Sequence, residues 1–259
     1  NFYGRGFSGG AEDERSGILA VHTLKDTETL CRLATGIKRF ALPDAFNFIT
    51  IYKDIANGGI ETGKREAIQK LAQIYENRRQ YPEAVTWWER YMPYQKDIAQ
   101  DRIRQITGNW GQFEPIQTQP AGTPAAVPFR FRNAEKAEFV AQRIDLKQLV
   151  DDVRQYIRGA PERLDWQRAN LGDIGRRLVW ENQTKYLTGK VTEWGLKLDP
   201  RPNHFDRRIT VTTPLDEPGA YLVTCKLTDG NVSRIIVMID DTAIVRKQLD
   251  RQHLVYVVD

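Results

Sequence analysis

Ala220-Tyr-Leu-Val-Thr-Cys-Lys-Leu-Thr-Asp-Gly-Asn-Val-Ser-Arg-Ile-Ile-Val-Met-Ile239 decides the fold of the C-terminal half. Two runs rich in β-branched and aromatic residues flank Asp229-Gly230, and Asp-Gly between such runs marks a tight hairpin. The pattern continues outward on both sides. Upstream stand Arg208-Ile-Thr-Val-Thr-Thr213 and the turn Pro214-Leu-Asp-Glu-Pro-Gly219; downstream stands Ala243-Ile-Val-Arg246. Further upstream, Phe129-Arg-Phe-Arg132 and Ala137-Glu-Phe-Val-Ala-Gln-Arg-Ile144 alternate with the period of two that belongs to strands. Short strands at this spacing, separated by turn residues, predict an antiparallel β-sandwich over residues 129–247. A helical insertion is expected at about 146–180. It comprises Leu146–Ile157, apolar at helical spacing, and a second segment from Trp166 to Leu178. His253-Leu-Val-Tyr-Val-Val258 adds a last run, and residues 248–259 read equally as the last strand of the sandwich or as the first strand of a following, truncated domain.

The N-terminal part has a different period. Ile68, Leu71, Ala72 and Tyr75, then Ala84, Trp88 and Tyr91, fall at helical spacing around the turn Asn77-Arg-Arg-Gln-Tyr-Pro82. Pro82 suits the first turn of a new helix, where no backbone donor is needed. This hairpin resembles a tetratricopeptide (TPR) repeat, with Ile68, Leu71, Ala72, Tyr75, Tyr81, Ala84 and Trp88 in the repeat's order and Tyr91 where the family prefers a small residue. Leu30, Leu33, Ala34, Ile37 and Phe40, followed by Phe46, Ile49, Tyr52 and Ile55, read as a second helical pair; Ile98, Ile103 and Ile106 mark a further helix. Residues 1–107 are therefore expected to be α-helical throughout. The whole chain is then multidomain α plus β, with a linker at 108–128. Four prolines and three glycines in that stretch argue against continuous helix or a central strand. Trp110 and Phe113 would be wasted in a free linker, so they are expected to pin the two domains together.

Composition narrows the function classes. The chain has 259 residues, 41% of them hydrophobic, and a formal charge of +4. Residues 1–112 carry 16 Lys and Arg against 14 Asp and Glu, and residues 113–259 carry 22 against 20, so the excess is spread evenly. No basic block marks a nucleic-acid partner. No stretch approaches the ~18 apolar residues of a transmembrane helix. The start, Asn1 to Gly10, lacks a basic region followed by an apolar core, so it is no signal peptide. Without an initiating Met the chain reads as a processed protein or an excised fragment.

Catalytic and cofactor signals are sparse. Gly4, Gly6 and Gly9 spell G-x-G-x-x-G, but only three residues precede them, too few for the strand that a nucleotide-binding loop needs. His22, His204 and His253 lie far apart, and Cys31 and Cys225 have no metal-type spacing, so neither a metal, nor a cofactor, nor a disulfide framework is expected. Asp151-Asp152 and Asp240-Asp241 are neighbours in sequence and point to different faces. Asn182-Gln-Thr184 and Asn231-Val-Ser233 match glycosylation acceptors. Trp87 and Trp88 point about 100° apart on a helix, which favours packing over a stacking platform. By position in the TPR-like repeat, Gln69, Gln73, Glu76 and Asn77 form a candidate protein-binding face.

Arg201–Cys225, followed by Asp229–Val237 and Asp241–Lys247, resembles bacterial alpha-2-macroglobulin-like proteins. Leu215, Pro218, Gly219, Tyr221 and Val223 match the L-x-x-P-G-x-Y-x-V strand that closes one macroglobulin domain of that family. Val255-Tyr-Val-Val-Asp259 matches the V-Y-V-x-D opening of the next. The resemblance implies a large envelope, periplasmic or extracellular protein that traps proteases through a bait segment and, in many members, a Cys-Gly-Glu-Gln thioester. Cys31 is followed by Arg-Leu-Ala and Cys225 by Lys-Leu-Thr, so no thioester residue carries over. The resemblance thus implies a non-enzymatic N-terminal portion whose partners are proteases or other proteins met through the full-length molecule. The alternative is a stand-alone adaptor whose TPR-like hairpin binds a peptide; a hydrolase with the insertion helices as a lid is a third reading.

Overall fold

A computed structural model describes residues 20–58, 60–159, 165, 171–181, 184–250 and 252–258. The Gly4-x-Gly6-x-x-Gly9 stretch lies outside them. The chain forms two compact units: Asn1–Gly108 with Arg201–Phe205, and Asn109–Pro200 with Asp206–Asp259. Its fold class is α plus β.

The described part of the first unit runs from a 3-10 turn (Val21–Thr23) into a β-hairpin, β1 (Glu28–Leu33) and β2 (Gly36–Ala41), followed by helices α1 (Phe48–Gly58), α2 (Glu61–Asn77), α3 (Tyr81–Tyr91) and α4 (Lys96–Thr107). The hairpin corrects the expectation of helix throughout residues 1–107. Leu30, Leu33, Ile37 and Phe40 mimic a helical stripe, but Gly36, at φ 113°, sits in the left-handed region and turns the chain back after Ala34-Thr35. Thr29, Ile37 and Phe40 are also better strand than helix formers.

The α2–α3 connection shows why the helices stop where they do. Arg79 takes φ 57°, its N–H donates to the Glu76 carbonyl, and the Gln80 N–H donates to the Tyr75 carbonyl. This is a Schellman closure with arginine where glycine is usual. Pro82 then stands in the first turn of α3. The spacing read from sequence matches the inward face: Ile68, Leu71, Ala72, Tyr75, Ala84, Trp88 and Tyr91 are all buried. Tyr91 is accommodated by edge-on contact with the Trp88 ring at 5.8 Å. Trp87 is buried as well, with the Arg90 guanidinium 4.3 Å above its ring. Arg201–Phe205 completes the unit; Phe205 meets His22 at 5.3 Å and Tyr81 at 5.6 Å, ring to ring.

The second unit is built from two sheets. One has the order β4 (Gln119–Pro120), β10 (Val232–Asp240), β9 (Gly219–Leu227), β6 (Lys136–Ile144), β7 (Leu187–Lys197); the other runs β3 (Trp110–Phe113), β5 (Ala126–Arg132), β8 (Arg207–Thr212). All pairs are antiparallel except β4 with β10. Both sheets contribute to one core, with Phe113, Phe129 and Phe131 from the smaller, and Phe139, Tyr221, Val223 and Cys225 from the larger. Alternation along β9 sends Tyr221, Val223 and Cys225 there. Ala220 and Leu222 point instead to a second cluster with Leu149 of α5 (Leu146–Arg158) and Leu178 of α6 (Leu171–Trp180). A strand covered on both faces reads as a continuous apolar run, which explains Ala-Tyr-Leu-Val.

Residues 108–128, read from sequence as a linker, instead supply β3, β4 and the start of β5. The prolines fit because of where they fall. Pro120 lies in β4, an edge strand. Pro128 of β5 accepts from the Glu114 N–H just past the end of β3, and the donor that proline lacks would have met the Glu114 carbonyl, so the β3–β5 ladder stops there. Strand β7, with Trp194 stacked on Phe139 at 5.1 Å, carried too little alternation to be read from sequence.

Candidate interaction surfaces

The proposed helical face does not form a free polar row. Gln69 and Gln73 are half-buried and Asn77 is exposed. Glu76 is held inside the module: it accepts from the Trp88 indole N–H at 3.0 Å and from Arg102 at 3.3 Å. A carboxylate so engaged orients α3 and α4 against α2. Trp110 and Phe113 sit on opposite faces of β3, and each has its partners within the second unit. Phe113 is a core residue edge-on to Phe129 at 5.2 Å, and Trp110 lies under the Arg130 and Arg132 guanidiniums at 5.3 and 5.8 Å.

The densest polar cluster was not legible in sequence, since it joins residues up to 58 positions apart. The segment Ala20–Glu28 lies against α1, α2 and the α2–α3 turn. Asp26 accepts from Lys53 Nζ at 2.6 Å and from the Tyr75 hydroxyl at 2.9 Å. Buried Arg78 donates to the carbonyls of Lys25 at 3.1 Å and Glu28 at 2.7 Å. The Gln80 amide donates to those of Leu24 at 2.8 Å and His22 at 3.3 Å. Leu24 itself is buried. Burial opposes the charge on Lys53, yet its bonds to Asp26 and Tyr75 outweigh this and hold the ammonium above its usual range. Burial, reinforced by the bond to Asp26, raises the Tyr75 hydroxyl. Burial also lowers Arg78, against the pull of Asp26.

In the second unit, the Pro218-Gly219-Ala-Tyr221 corner is closed by side chains. The Tyr221 hydroxyl donates to the Glu217 carbonyl at 3.1 Å, and Arg143 donates to the Pro218 carbonyl at 2.8 Å while lying 5.8 Å above the Tyr221 ring. Glycine is required at 219: φ is 156°, and a Cβ would stand 3.1 Å from an Arg143 nitrogen and 3.3 Å from the Tyr221 oxygen. Beside it a cavity of about 330 Å³ opens between Arg143, Asp145, Leu146, Thr188 and Ala220. Asp145 caps α5 by accepting from the Gln148 N–H, so this lining is already engaged in holding local structure.

Among the described residues no cluster of three or more His, Cys, Asp or Glu side chains is placed to hold a metal ion. Burial pushes the Cys225 thiol up to about 12, which keeps it protonated and unreactive at neutral pH. His22 packs on Phe205, and His253 is exposed on a strand. Among the described residues no helix is long and apolar enough to cross a membrane.

The last feature is the hairpin of β11 (Ala243–Leu249) and β12 (Gln252–Val258), which forms a sheet of its own. Ile244 and Val257 are paired on one face and Val245 and Tyr256 on the other, and all four are more than half exposed. A two-stranded ribbon apolar on both faces is marginal in water by itself.

No family model and no curated protein matches the sequence. Among solved structures the chain is similar to native alpha-2-macroglobulin from Escherichia coli. The crystal structure spanning domains NIE-MG1 is 12% identical with a TM-score of 0.34, over 58% of this chain and 69% of that one. The crystal structure spanning MG0-NIE-MG1 is 13% identical with a TM-score of 0.33, over 55% and 42%. The cryo-EM reconstruction of the native conformation is 12% identical with a TM-score of 0.33, over 58% of this chain and 9% of that one. Scores this low do not establish a common fold.

Proposed function

We propose that the chain is a non-enzymatic, structural and protein-interacting segment of an alpha-2-macroglobulin-like protease inhibitor. In this reading the first unit is a TPR-like module, the second is a macroglobulin-like sandwich, and the working molecule acts at the cell envelope or outside the cell. Any trapping of a protease belongs to the full-length molecule. The observation that carries the reading is the terminal hairpin. It follows directly on the sheet that contains the Leu215-x-x-Pro-Gly-x-Tyr-x-Val223 strand, holds the Val255-Tyr-Val-Val motif, and bears apolar side chains on both faces. Such a ribbon is suited to lie between further layers of structure. The test is the reading frame downstream of Asp259, together with inhibition by its product. Further macroglobulin-like domains, and a product that protects casein from trypsin where the 259-residue chain does not, support the reading. A stop codon directly after Asp259 overturns it.

A further inference from the structure

The clamp on residues 20–28 has the composition of a peptide-recognition site. Arg78 and Gln80 grip four backbone carbonyls, those of His22, Leu24, Lys25 and Glu28, and so hold the backbone of the 3-10 turn Val21–Thr23 and of the turn that follows it irrespective of side chain. Two side chains of the segment are read individually. Leu24 is buried, and the Asp26 carboxylate is divided between Lys53 Nζ and the Tyr75 hydroxyl. Most of the gripping atoms come from α1, the end of α2 and the α2–α3 turn, and those elements are fixed by their own core rather than by the segment. Tyr75 and Arg78 are rooted beside Leu71 and Phe48, and the Schellman closure sets the direction of Gln80. The Lys53–Asp26 pair stays open to solvent, with side chains 37% and 39% exposed. Its closing contact is therefore made at the surface, where a competing carboxylate can reach it.

We propose that this clamp is a recognition site for an acidic, turn-forming segment of the form Leu-x-Asp, and that Leu24-Lys25-Asp26 fills it as an internal ligand. The partner it fits is a peptide with an aliphatic residue two places before a carboxylate, bound along its backbone. A tethered segment faces its site at an effective concentration of about millimolar, so a free peptide at micromolar concentration cannot displace it from the intact chain. Loosening the internal segment exposes the site. This goes beyond the scaffold reading, which needs no vacant groove, and either can fail alone.

The test uses the 259-residue chain and a fluorescent peptide of sequence Ala-Val-His-Thr-Leu-Lys-Asp-Thr-Glu, the chain's own residues 20–28. The double variant Leu24→Ala, Asp26→Ala weakens the internal segment and leaves Lys53, Tyr75, Arg78 and Gln80 intact. The peptide should bind this variant at least ~10-fold more tightly than the wild-type chain. Replacing its own Asp by Asn, or adding Arg78→Ala to the variant, should abolish binding. Absence of binding by a folded double variant, or equal binding to wild type and variant, overturns the proposal. If the double variant does not fold, hydrogen exchange in the wild-type chain decides. The amides of Thr23, Leu24, Lys25 and Glu28 are all hydrogen-bonded within the segment. They should exchange at least ~100-fold faster than those of central α2, because the segment, once released from Arg78 and Gln80, unwinds its own short turns while the helices stay formed. Equal protection would make the segment an inseparable part of the module and overturn the proposal.

Discussion

Asn231 is the residue whose replacement tests most directly how the second unit is held together. Its side-chain Oδ1 accepts from the Gly111 N–H and its Nδ2 donates to the Gly111 carbonyl, both at 2.8 Å. Two residues on, the Ser233 hydroxyl accepts from the Phe113 N–H at 3.1 Å. Strand β3 pairs with β5 on one side only, so these groups of Gly111 and Phe113 would otherwise be bare. Asn231 and Ser233 thus close the edge of the three-stranded sheet from β10 and its turn in the other sheet. Gly111 is wedged there so tightly that a Cβ would stand 2.5 Å from the Phe129 ring. Each hydrogen bond is worth about 0.5–1.5 kcal/mol net, and an unsatisfied buried group costs about 1–3. Gly111 is buried, so Asn231→Ala should cost about 2–3 kcal/mol, a large part of a typical stability of roughly 5–15. Guanidinium unfolding should show a lower midpoint with an unchanged slope. Asn231→Asp preserves the acceptor but sets an oxygen against the Gly111 carbonyl, so it should cost at least as much. A loss below about 0.5 kcal/mol for the alanine variant, or an aspartate variant as stable as wild type, would refute the reasoning.

Four further outcomes follow from the geometry. Arg79→Gly should stabilise the first unit by up to about 1 kcal/mol in thermal unfolding, because it relieves a left-handed residue at the α2 C-terminus. Gly219→Ala should destabilise the second unit by about 1–3 kcal/mol; adding Arg143→Ala should recover only the part due to the 3.1 Å contact, and full recovery would show that backbone strain is absent. Lys53 and Tyr75 both have pKa values raised by folding, so their contribution is complete below pH ~10 and is lost as pH rises through the folded values. Circular dichroism should therefore show alkaline unfolding of the helices, and Asp26→Asn should shift its onset to lower pH. Of the two thiols, Cys31 should react with a disulfide reagent in the native chain and Cys225 only after denaturation.

What could be read from the sequence was whatever is local. The Asp229-Gly230 hairpin and the α2–α3 hairpin each follow from residues within about two dozen positions of one another, and both appear as read. The errors arose where local signals conflict. Leu30, Leu33, Ile37 and Phe40 satisfy a helical period by coincidence, and only the conformation of Gly36 shows that the chain reverses. The strands in 108–128 were obscured by their prolines, which are tolerated because they fall at edges or past a partner's end. The side-chain clusters were out of reach for a different reason. Asp26 finds Tyr75 across 49 positions, and Gly111 finds Asn231 across 120. No spacing encodes such pairs. The Asn231-Val-Ser233 sequence, which matches a glycosylation acceptor, satisfies an edge strand through its side chains, and nothing local signals that use.

The distribution of exposed apolar surface on the terminal ribbon bears on what can cover it. An adaptor that binds through one face needs one apolar or polar patch, with the rest of the element solvated. The β11–β12 ribbon does not have that form: Ile244 and Val257 occupy one face, while Val245, Tyr256 and Val258 occupy the other. A partner docking on a single side leaves half of these side chains in water. Covering both at once takes a layer above and a layer below, which is the environment of a strand inside a domain. At about 25 cal/mol per Å², burying the second face contributes as much as burying the first. The ribbon thus gains most from being covered on both faces at once.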